Sequence, residues 1–200
     1  MRYPVMLDVD DVAVLVVGGG PVGARKVRDL AQCGARVTLV AIDVGPEAAA
    51  AGATTVEQRA YRPGEAAEGY RLVVTATGVR EVDAQVSADA QAAGVWVNAA
   101  DDPPNCTFIL PAVLRRGRAT VMVSTDGGSP AAAGWLRDRL GEILGPELAA
   151  MIDDLAEQRE SLLASGDRIG LDAWSERIER AAASAGVTPC LAEGCARKSN

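Results

Sequence analysis

A short apolar run that stops at a cluster of glycines constrains this chain more than any other feature. Residues 12–17 read Val-Ala-Val-Leu-Val-Val, and Gly18, Gly20 and Gly23 follow at G-x-G-x-x-G spacing. The run is too short for a membrane span and is typical of a strand buried on both faces of a parallel sheet. The pattern therefore predicts a strand, a tight turn and a helix in immediate succession.

This glycine turn is a candidate dinucleotide site. In such sites the first glycine permits the tight turn, the second lets a pyrophosphate approach the backbone, and the third lets helix and strand pack closely. A helix beginning near Pro21 would direct its free N–H groups and its positive dipole end toward the phosphates. Proline suits a first helical position, because its missing N–H would be unpaired there anyway. The alternative is a tight strand-to-helix turn that binds nothing.

Composition and charge restrict the classes of function. The 200 residues carry a formal net charge of −7, which argues against a nucleic-acid partner. No apolar run reaches the length of a membrane helix and no signal sequence is evident, so we expect a cytoplasmic protein without a membrane partner. The chain has no histidine, so acid–base chemistry must fall to other side chains. The cysteines lack C-x-x-C spacing, and we predict no metal site.

The order of the predicted elements indicates the fold class. Strands are predicted at 12–17, 35–41, 54–59, 70–78, 95–100 and 108–113, with helices at about 21–33 and 82–93. Strands that alternate with helices predict an α/β fold, a Rossmann-type doubly wound parallel sheet. The pattern changes near Leu114, where a basic turn over 115–118 and a strand over 119–125 precede helices that begin at Ala131.

The ends of two predicted strands supply further candidate cofactor contacts. Asp43 is the acid nearest the end of the second strand, and it is either the ribose ligand or an N-cap for the alanine-rich stretch 46–51. No arginine directly follows this strand to hold a 2′-phosphate, which favours NAD over NADP. Thr75, Ala76 and Thr77 end the fourth strand. Such small residues let a cofactor lie over the sheet edge, unless they mark an ordinary strand-to-turn transition.

Several separated motifs, in order over residues 3–146, together resemble one family. They are Tyr3-Pro4 with Leu7-Asp8, the glycine turn with Ala24-Arg25-Lys26-Val27, Gly34-Ala35 with Val37-Thr38, Thr75-Ala76-Thr77, Val97-Asn98 with Asp101-Asp102-Pro103, Phe108-Ile109 with Pro111-Ala112, and the loop Ser124-Thr125-Asp126-Gly127-Gly128-Ser129-Pro130 with Leu136-Arg137. The chain thus resembles the precorrin-2 dehydrogenase / sirohydrochlorin ferrochelatase family, in its stand-alone form. Two departures from the family pattern are Gly78 after Thr-Ala-Thr and Asp126 before the paired glycines.

This resemblance implies an activity and a domain organisation. The implied reaction is the NAD-dependent oxidation of precorrin-2 to sirohydrochlorin in siroheme biosynthesis, and some members also insert Fe²⁺. The implied assembly is a homodimer. The implied domains are an NAD-binding Rossmann domain over 1–113, a dimerisation region over 114–145 and a helical domain over 146–187. The end of the chain lacks an apolar period, which predicts a disordered tail over 188–200.

The resemblance also assigns residues. The family's essential aspartate falls on Asp101, its NAD contacts include positions 21, 22, 42 and 43, and its loop serine falls on Thr125 with Ser124 beside it. The full predicted cofactor set is Gly18, Gly20, Pro21, Val22, Gly23, Ile42, Asp43, Thr75, Ala76, Thr77 and Asn98.

The predicted substrate-side residues fit the chemistry of a reduced tetrapyrrole that carries many carboxylates. A carboxylate at Asp101 can accept a proton and stabilise positive charge on pyrrole nitrogens, with Asp102 as the competing candidate and a simple turn as the alternative. Arg115, Arg116 and Arg137 are candidate partners for the substrate's carboxylates, unless they only face solvent.

A different class of function is equally compatible with the glycine turn. Because fold does not fix function, the chain can also be a non-catalytic module that binds NAD or senses redox state. Tight NAD binding without affinity for a tetrapyrrole would identify that module.

Overall fold

The computed structural model describes residues 2–166 and 170–186. Two compact units divide the chain, Met1–Leu110 and Pro111–Asn200. The predicted tail over 188–200 lies outside the described residues.

Unit 1 contains a five-stranded parallel sheet. Its strands are β1 (Ala13–Val17), β2 (Arg36–Ala41), β3 (Thr55–Gln58), β4 (Leu72–Thr75) and β5 (Trp96–Ala99), in the spatial order β3-β2-β1-β4-β5. Helices α1 (Pro21–Gln32), α2 (Pro46–Ala49) and α3 (Arg80–Ala92) connect them. Neighbouring strands are parallel and the order reverses between β1 and β4. This topology confirms the predicted Rossmann-type doubly wound sheet, and ligands of such sheets bind at the switch point between the reversing strands.

The central strand is buried on both faces, which explains its unbroken apolar sequence. Val14 and Val16 of β1 belong to the cluster that includes the buried face of α1, whereas Leu15 and Val17 belong to the cluster that includes the buried face of α3. All four side chains are at most 2% exposed. A strand covered on one face only would alternate apolar and polar residues, so the run before the glycines reports the central position of β1.

Strand β5 is an edge of this sheet, and the segment that follows it covers the edge. The Val97 N–H donates to the Thr107 hydroxyl at 2.7 Å, and the Thr107 N–H donates back to the Val97 carbonyl at 2.9 Å. The Ala99 N–H donates to the Cys106 sulfur at 3.2 Å. Side-chain atoms thus take over hydrogen bonds that a sixth strand would make. The strand predicted at 108–113 is wrong, since the next strand begins at Ala112.

The described part of unit 2, residues 111–166 and 170–186, consists of a hairpin and three helices. The hairpin strands β6 (Ala112–Arg116) and β7 (Ala119–Val123) are antiparallel, and α4 (Pro130–Ile143), α5 (Pro146–Ser165) and α6 (Leu171–Ser184) follow. The predicted basic turn is shorter than expected because Arg115 and Arg116 belong to β6. Arg118 in the turn connects the hairpin to α5, where its guanidinium pairs with Glu160 at 2.5 Å. The helical C-terminal region is confirmed.

Apolar side chains of unit 2 remain accessible. Among its described residues only Ala133 and Ala182 are buried hydrophobic residues, while Trp135 is 61% and Ile143 is 75% exposed. No helix within the described ranges has the length and hydropathy needed to cross a membrane.

Candidate dinucleotide and substrate site

Three glycines of the turn after β1 are required by the packing of the protein itself. Gly18 has a φ of +119°, and a Cβ added there would lie 2.3 Å from the Ala76 carbonyl oxygen. A Cβ on Gly23 would lie 1.9 Å from the Gly18 carbonyl oxygen, and one on Gly19 would lie 2.2 Å from the Asp43 carbonyl oxygen. Backbone atoms of three segments therefore meet at this turn without room for a side chain.

Gly20 differs from these three because the protein does not require a glycine there. A Cβ on Gly20 would meet no atom within 4 Å, and its φ of −80° and ψ of −176° suit any residue. It is the N-cap of α1, yet no side chain caps the helix and its first turn has no acidic residue. The exposed residues Pro21 and Val22 follow. Open space beside uncapped N–H groups fits the approach of a pyrophosphate.

The loop after β2 packs directly on the glycine turn. The Gly45 N–H donates to the Gly19 carbonyl at 3.1 Å, and Ile42 and Asp43 are both exposed. Gly45, not Asp43, is the N-cap of α2 and has no side-chain cap bond. The N-cap interpretation of Asp43 is therefore wrong, and its backbone lies beside the glycine turn.

An arginine after β3 lies next to this loop but is neutralised by carboxylates. The register pairs Ala41 with Gln58, so Arg59 follows at the same edge of the sheet. The Arg59 Nε donates to Glu57 at 2.7 Å, and its Nη1 donates to Glu65 at 2.9 Å. These hydrogen bonds, Glu65 foremost, raise the pKa of the Arg59 guanidinium above its usual value. The sequence prediction used only the residues at the end of β2 and did not include Arg59 or its carboxylate partners.

The residues at the end of β4 are fixed by a carboxylate that the sequence did not single out. Asp83 of α3 is 6% exposed. Its Oδ1 accepts from the Thr75 hydroxyl, from the Thr77 N–H at 3.1 Å and from the Thr77 hydroxyl at 2.9 Å. Thr75 is fully buried and its side chain positions the loop, while its predicted cofactor contact stays a prediction. Ala76 contributes its backbone, which packs against Gly18. An acid in the first turn of the following helix was the available signal.

Asn98 of β5 also has a packing role. It is 8% exposed, and its amide donates to the Phe108 carbonyl at 3.1 Å and to the Cys106 sulfur at 3.6 Å. The side-chain amide thus holds the segment that covers the sheet edge, and the predicted cofactor contact of Asn98 stays a prediction.

Asp101 lies in the turn after β5, at the carboxyl edge of the sheet. It is exposed and has a φ of +59°, a left-handed conformation that non-glycine residues adopt rarely and aspartate tolerates best. Strained residues of this kind concentrate at functional sites. The neighbouring Asp102 is committed to structure, because its Oδ2 accepts from the Asn105 amide at 2.8 Å. The geometry favours Asp101 over Asp102 as the reactive carboxylate.

Lys26 is a further residue to which the sequence analysis assigned no role. It follows the glycine turn on α1 and is partly buried. Burial lowers the pKa of its ammonium group and the charge of Arg25 acts in the same direction, whereas Asp29 and Asp101 oppose this shift. A cation is thus within electrostatic reach of the Asp101 carboxylate. The Arg-Lys pair after the glycines was the available signal.

The remaining predicted residues belong to unit 2. The Thr125 hydroxyl accepts from the Ser129 N–H at 2.9 Å and donates to the Ser129 carbonyl at 3.0 Å. Ser124 is exposed, and its hydroxyl accepts from the Asp126 N–H at 3.1 Å. The loop before α4 is thus closed by Thr125, while Ser124 presents its hydroxyl at the surface.

The predicted arginines of unit 2 have different environments. Arg115 and Arg116 are exposed on β6, and the Arg116 Nη1 donates to the Arg115 carbonyl at 3.3 Å. Arg137 of α4 pairs with its neighbour Asp138 at 2.7 Å. Any anion that binds Arg137 must compete with this carboxylate.

Comparison with known proteins identifies the class of unit 1. Residues 5–112 match the model of a family described as putative NAD(P)-binding. Because this match spans more than half of the 200-residue chain, the chain belongs to that family. The match confirms the predicted NAD-binding domain.

Particular relatives narrow this class. The chain is 39% identical to siroheme synthase 1 of Aeromonas salmonicida over 151 residues, which are 74% of this chain and 32% of the relative. It is 35% identical to the siroheme synthase of Tolumonas auensis over 163 residues, 80% of this chain and 34% of the relative. The chain therefore spans about a third of the length of these curated relatives.

A solved structure covers nearly the whole chain. SirC, a precorrin-2 dehydrogenase, matches with a TM-score of 0.71 and 26% identity, over 90% of this chain and 88% of SirC. Together with the siroheme synthases, it confirms the resemblance to the precorrin-2 dehydrogenase family that the motifs predicted.

Proposed function

We propose that this protein is an oxidoreductase of siroheme biosynthesis that oxidises precorrin-2 to sirohydrochlorin with NAD. The observation that carries the proposal is the pairing of two features at one edge of the sheet. The turn at Gly20 leaves open space at an uncapped helix N-terminus, and the exposed, left-handed Asp101 follows another strand at the same carboxyl edge. The similarity to SirC and to siroheme synthases supports this assignment.

We assign separate roles in this oxidation to the cofactor and to residues of the chain. NAD, when bound, accepts the hydride, since cofactors supply this chemistry. Asp101 accepts the proton that the macrocycle must lose as well, and its negative charge stabilises the cationic pyrrole nitrogens. Lys26 places a cationic group within electrostatic reach of that carboxylate.

The choice of NAD over NADP rests on two carboxylate arrangements. Asp43 is exposed beside the glycine turn, where a carboxylate accepts from ribose hydroxyls and repels a 2′-phosphate. Arg59, the nearby cation after β3, already binds Glu57 and Glu65. A binding titration should therefore give a dissociation constant at least about 10-fold lower for NAD than for NADP.

The substrate side of the proposal uses residues of unit 2. Arg115, Arg116 and Arg137 offer guanidinium groups to the carboxylates of the tetrapyrrole. Ser124 presents the accessible hydroxyl of its loop, whereas both hydrogen-bonding functions of the Thr125 hydroxyl are used by Ser129. We therefore assign the substrate-facing hydroxyl to Ser124 in preference to Thr125.

We also propose that a second copy of the chain covers the apolar surface of unit 2. Residues 114–145 would form the dimerisation region, because Trp135 and Ile143 are strongly exposed there. The hairpin β6–β7 packs against α4, but few described side chains of unit 2 are buried, so association would complete this unit.

Ferrochelation is a second candidate activity, and the exposed Asp101 carboxylate favours it. Insertion of a divalent cation requires the same kind of proton acceptor beside the pyrrole N–H groups. Incubation with sirohydrochlorin and Fe²⁺ or Co²⁺ tests it: a rate no higher than the uncatalysed insertion would leave a dehydrogenase alone.

A matched pair of variants tests the dehydrogenase proposal. Asp101→Asn keeps the size of the side chain and tolerates the left-handed turn, but it removes the proton acceptor. We expect turnover of precorrin-2, followed by the sirohydrochlorin spectrum, to fall about 10²- to 10⁴-fold. The control Asp102→Asn keeps an oxygen for the Asn105 amide and should stay within about 5-fold of wild type. Calorimetric titration should show unchanged NAD affinity in both variants.

The outcomes separate the competing functions. NAD binding by the wild-type protein without any oxidation of precorrin-2 would overturn the proposal in favour of a non-catalytic NAD-binding module. Equal losses in the two variants would show that the turn, not the Asp101 carboxylate, matters.

A further inference from the structure

We propose that Cys106 is a positioning residue for Asp101, whose sulfur fixes both ends of the turn that carries this carboxylate. The functional part of the inference rests on the proposed role of Asp101. Cys106 follows Asp101 by five residues, at the point where the chain turns back along the edge strand β5.

The thiol group contacts the turn on both sides. The Cys106 Sγ accepts from the Ala99 N–H at 3.2 Å, and it lies 3.2 Å from the Ala99 carbonyl oxygen and 3.4 Å from the Asp102 carbonyl oxygen. The Asn98 amide donates to the same sulfur at 3.6 Å. Ala99 ends β5 and Asp102 follows Asp101, so this single side chain holds the residues that flank the carboxylate.

Other hydrogen bonds hold the two sides of the turn. The Ala100 N–H donates to the Thr75 carbonyl at 2.9 Å, and Asn105 donates to Asp102 through its backbone N–H at 3.1 Å and its side-chain amide at 2.8 Å. The Asp102 N–H donates to the Ala99 carbonyl at 3.3 Å, which is long for a hydrogen bond of this kind. Asp101 keeps a φ of +59°. A strained residue persists only where its surroundings over-determine it, and the thiol adds contacts to Ala99 and to Asp102.

A protonated thiol suits this position better than a reactive thiolate would. The Ala99 N–H belongs to the edge strand β5, and without the sulfur it would lose the acceptor of its hydrogen bond. Burial raises the pKa of the Cys106 thiol, so the group keeps its proton at neutral pH. It can therefore accept from the Ala99 N–H and donate to a carbonyl oxygen at the same time.

The experiment compares Cys106→Ala with Cys33→Ala. Cys33 is an exposed free cysteine after α1, so its replacement is the same chemical change away from the turn. We expect hydrogen exchange at the Ala99 amide to become about 10-fold faster in Cys106→Ala and to stay unchanged in Cys33→Ala. This measurement does not depend on any activity. Unchanged exchange in Cys106→Ala would overturn the inference.

The kinetic arm distinguishes positioning from general damage. In Cys106→Ala we expect kcat for precorrin-2 to fall about 10- to 100-fold, because small misplacements of a reacting group have large effects, while the KM for NAD stays within about 2-fold. Cys106→Ser keeps a donor and an acceptor and should recover at least half of the wild-type kcat. It also keeps the test valid if the alanine variant folds poorly.

A double variant completes the test. In the Asp101→Asn background, Cys106→Ala should lower the single-turnover rate less than about 2-fold further, because there is no carboxylate left to position. A full, additive loss would overturn the positioning role. If the wild-type protein shows no turnover, the proposed function fails, but the exchange at Ala99 still decides whether the sulfur fixes the turn.

Discussion

The two units of this protein bury their apolar side chains to different extents. Unit 1 surrounds β1 with fully buried valine, leucine and alanine side chains on both faces of the sheet. The described part of unit 2 buries only Ala133 and Ala182 among its hydrophobic residues, while Trp135 and Ile143 lie exposed. Small units with few buried residues depend on association for stability. Unit 1 is therefore specified by its own core, whereas we propose that a second copy of the chain completes unit 2.

Polar side chains show the same contrast. In unit 1, Glu65 is 2% exposed and binds Arg59. The Asp83 carboxylate binds Thr75 and Thr77 at the carboxyl end of β4. In unit 2 the ion pairs of Arg118 with Glu160 and of Arg139 with Glu142 all involve side chains more than half exposed. Exposed pairs of this kind contribute little to stability. Buried polar contacts thus help to determine the fold of unit 1, whereas these ion pairs of unit 2 lie at its surface.

Two glycines of the turn after β1 test which positions of unit 1 are required for its packing and which are required for NAD binding. Gly23→Ala places a Cβ 1.9 Å from a backbone oxygen, and we expect the free energy of unfolding to fall by about 3 kcal/mol or more. Gly20→Ala meets no atom within 4 Å and should change stability by less than about 1 kcal/mol, because the lower entropy of the unfolded chain is opposed by the poorer propensity of alanine for this N-cap position. Its NAD dissociation constant should nevertheless rise at least about 10-fold, because the methyl group occupies the phosphate approach. Denaturation and calorimetric titration measure both; unchanged NAD affinity in Gly20→Ala would place the cofactor elsewhere.

A lysine placed at an exposed apolar position of each unit tests whether the apolar surface of unit 2 is the dimer interface. Ile143→Lys removes a 75% exposed isoleucine from unit 2, and we expect the dissociation constant of the dimer to rise at least about 10-fold. The matched change Val56→Lys, at a 44% exposed position on the edge strand β3, should leave it unchanged. Sedimentation equilibrium measures both. A wild-type monomer, or equal effects of the two changes, would contradict the proposed dimer surface.

The buried carboxylate of unit 1 predicts a dependence of stability on pH. Burial alone would raise the pKa of Glu65, but hydrogen bonds from Arg59 and from the Arg62 N–H outweigh it, and the pKa is lowered. The stabilisation is therefore present above the unfolded pKa of about 4.3 and is lost as pH falls through the folded pKa. Glu65→Gln should cost about 1–3 kcal/mol at pH 7.

That difference from wild type should shrink below about pH 4. The control Glu68→Gln changes an exposed partner of Arg62 at 3.7 Å and should have less than about 0.5 kcal/mol of effect. Thermal denaturation at pH 7 and below about pH 4 measures the stability of both variants. A Glu65→Gln difference that stays constant with pH would show that the carboxylate charge is not involved.

The fold of unit 1 was predictable because its signals are local. Residues 12–17 and the glycines after them state a buried strand and a tight turn in adjacent positions, and the structure places β1 and α1 there. The edge of the sheet was not predictable in this way. Thr107 and Cys106 replace a strand through side-chain contacts across ten and seven residues, and no periodicity of the sequence marks such contacts.

The candidate site was predictable by position and less so by role. Asp101 and Asp43 lie at the carboxyl edge of the sheet, where strand ends were expected to place them. Thr75 and Asn98 also lie near this edge, but buried hydrogen bonds occupy their side chains. A sequence shows which residues follow a strand, whereas the partner of each polar group depends on helices and loops distant in the chain.

The uncapped start of α1 links the stability of unit 1 to the concentration of its ligand. The Gly20 N-cap leaves backbone N–H groups that no side chain satisfies, so an anion bound there completes the helix. By mass action, a ligand that binds only the folded state stabilises it by about 2.7 kcal/mol at 100 times its dissociation constant. In a cell, the supply of dinucleotide would then regulate how long this protein persists as well as how fast it works.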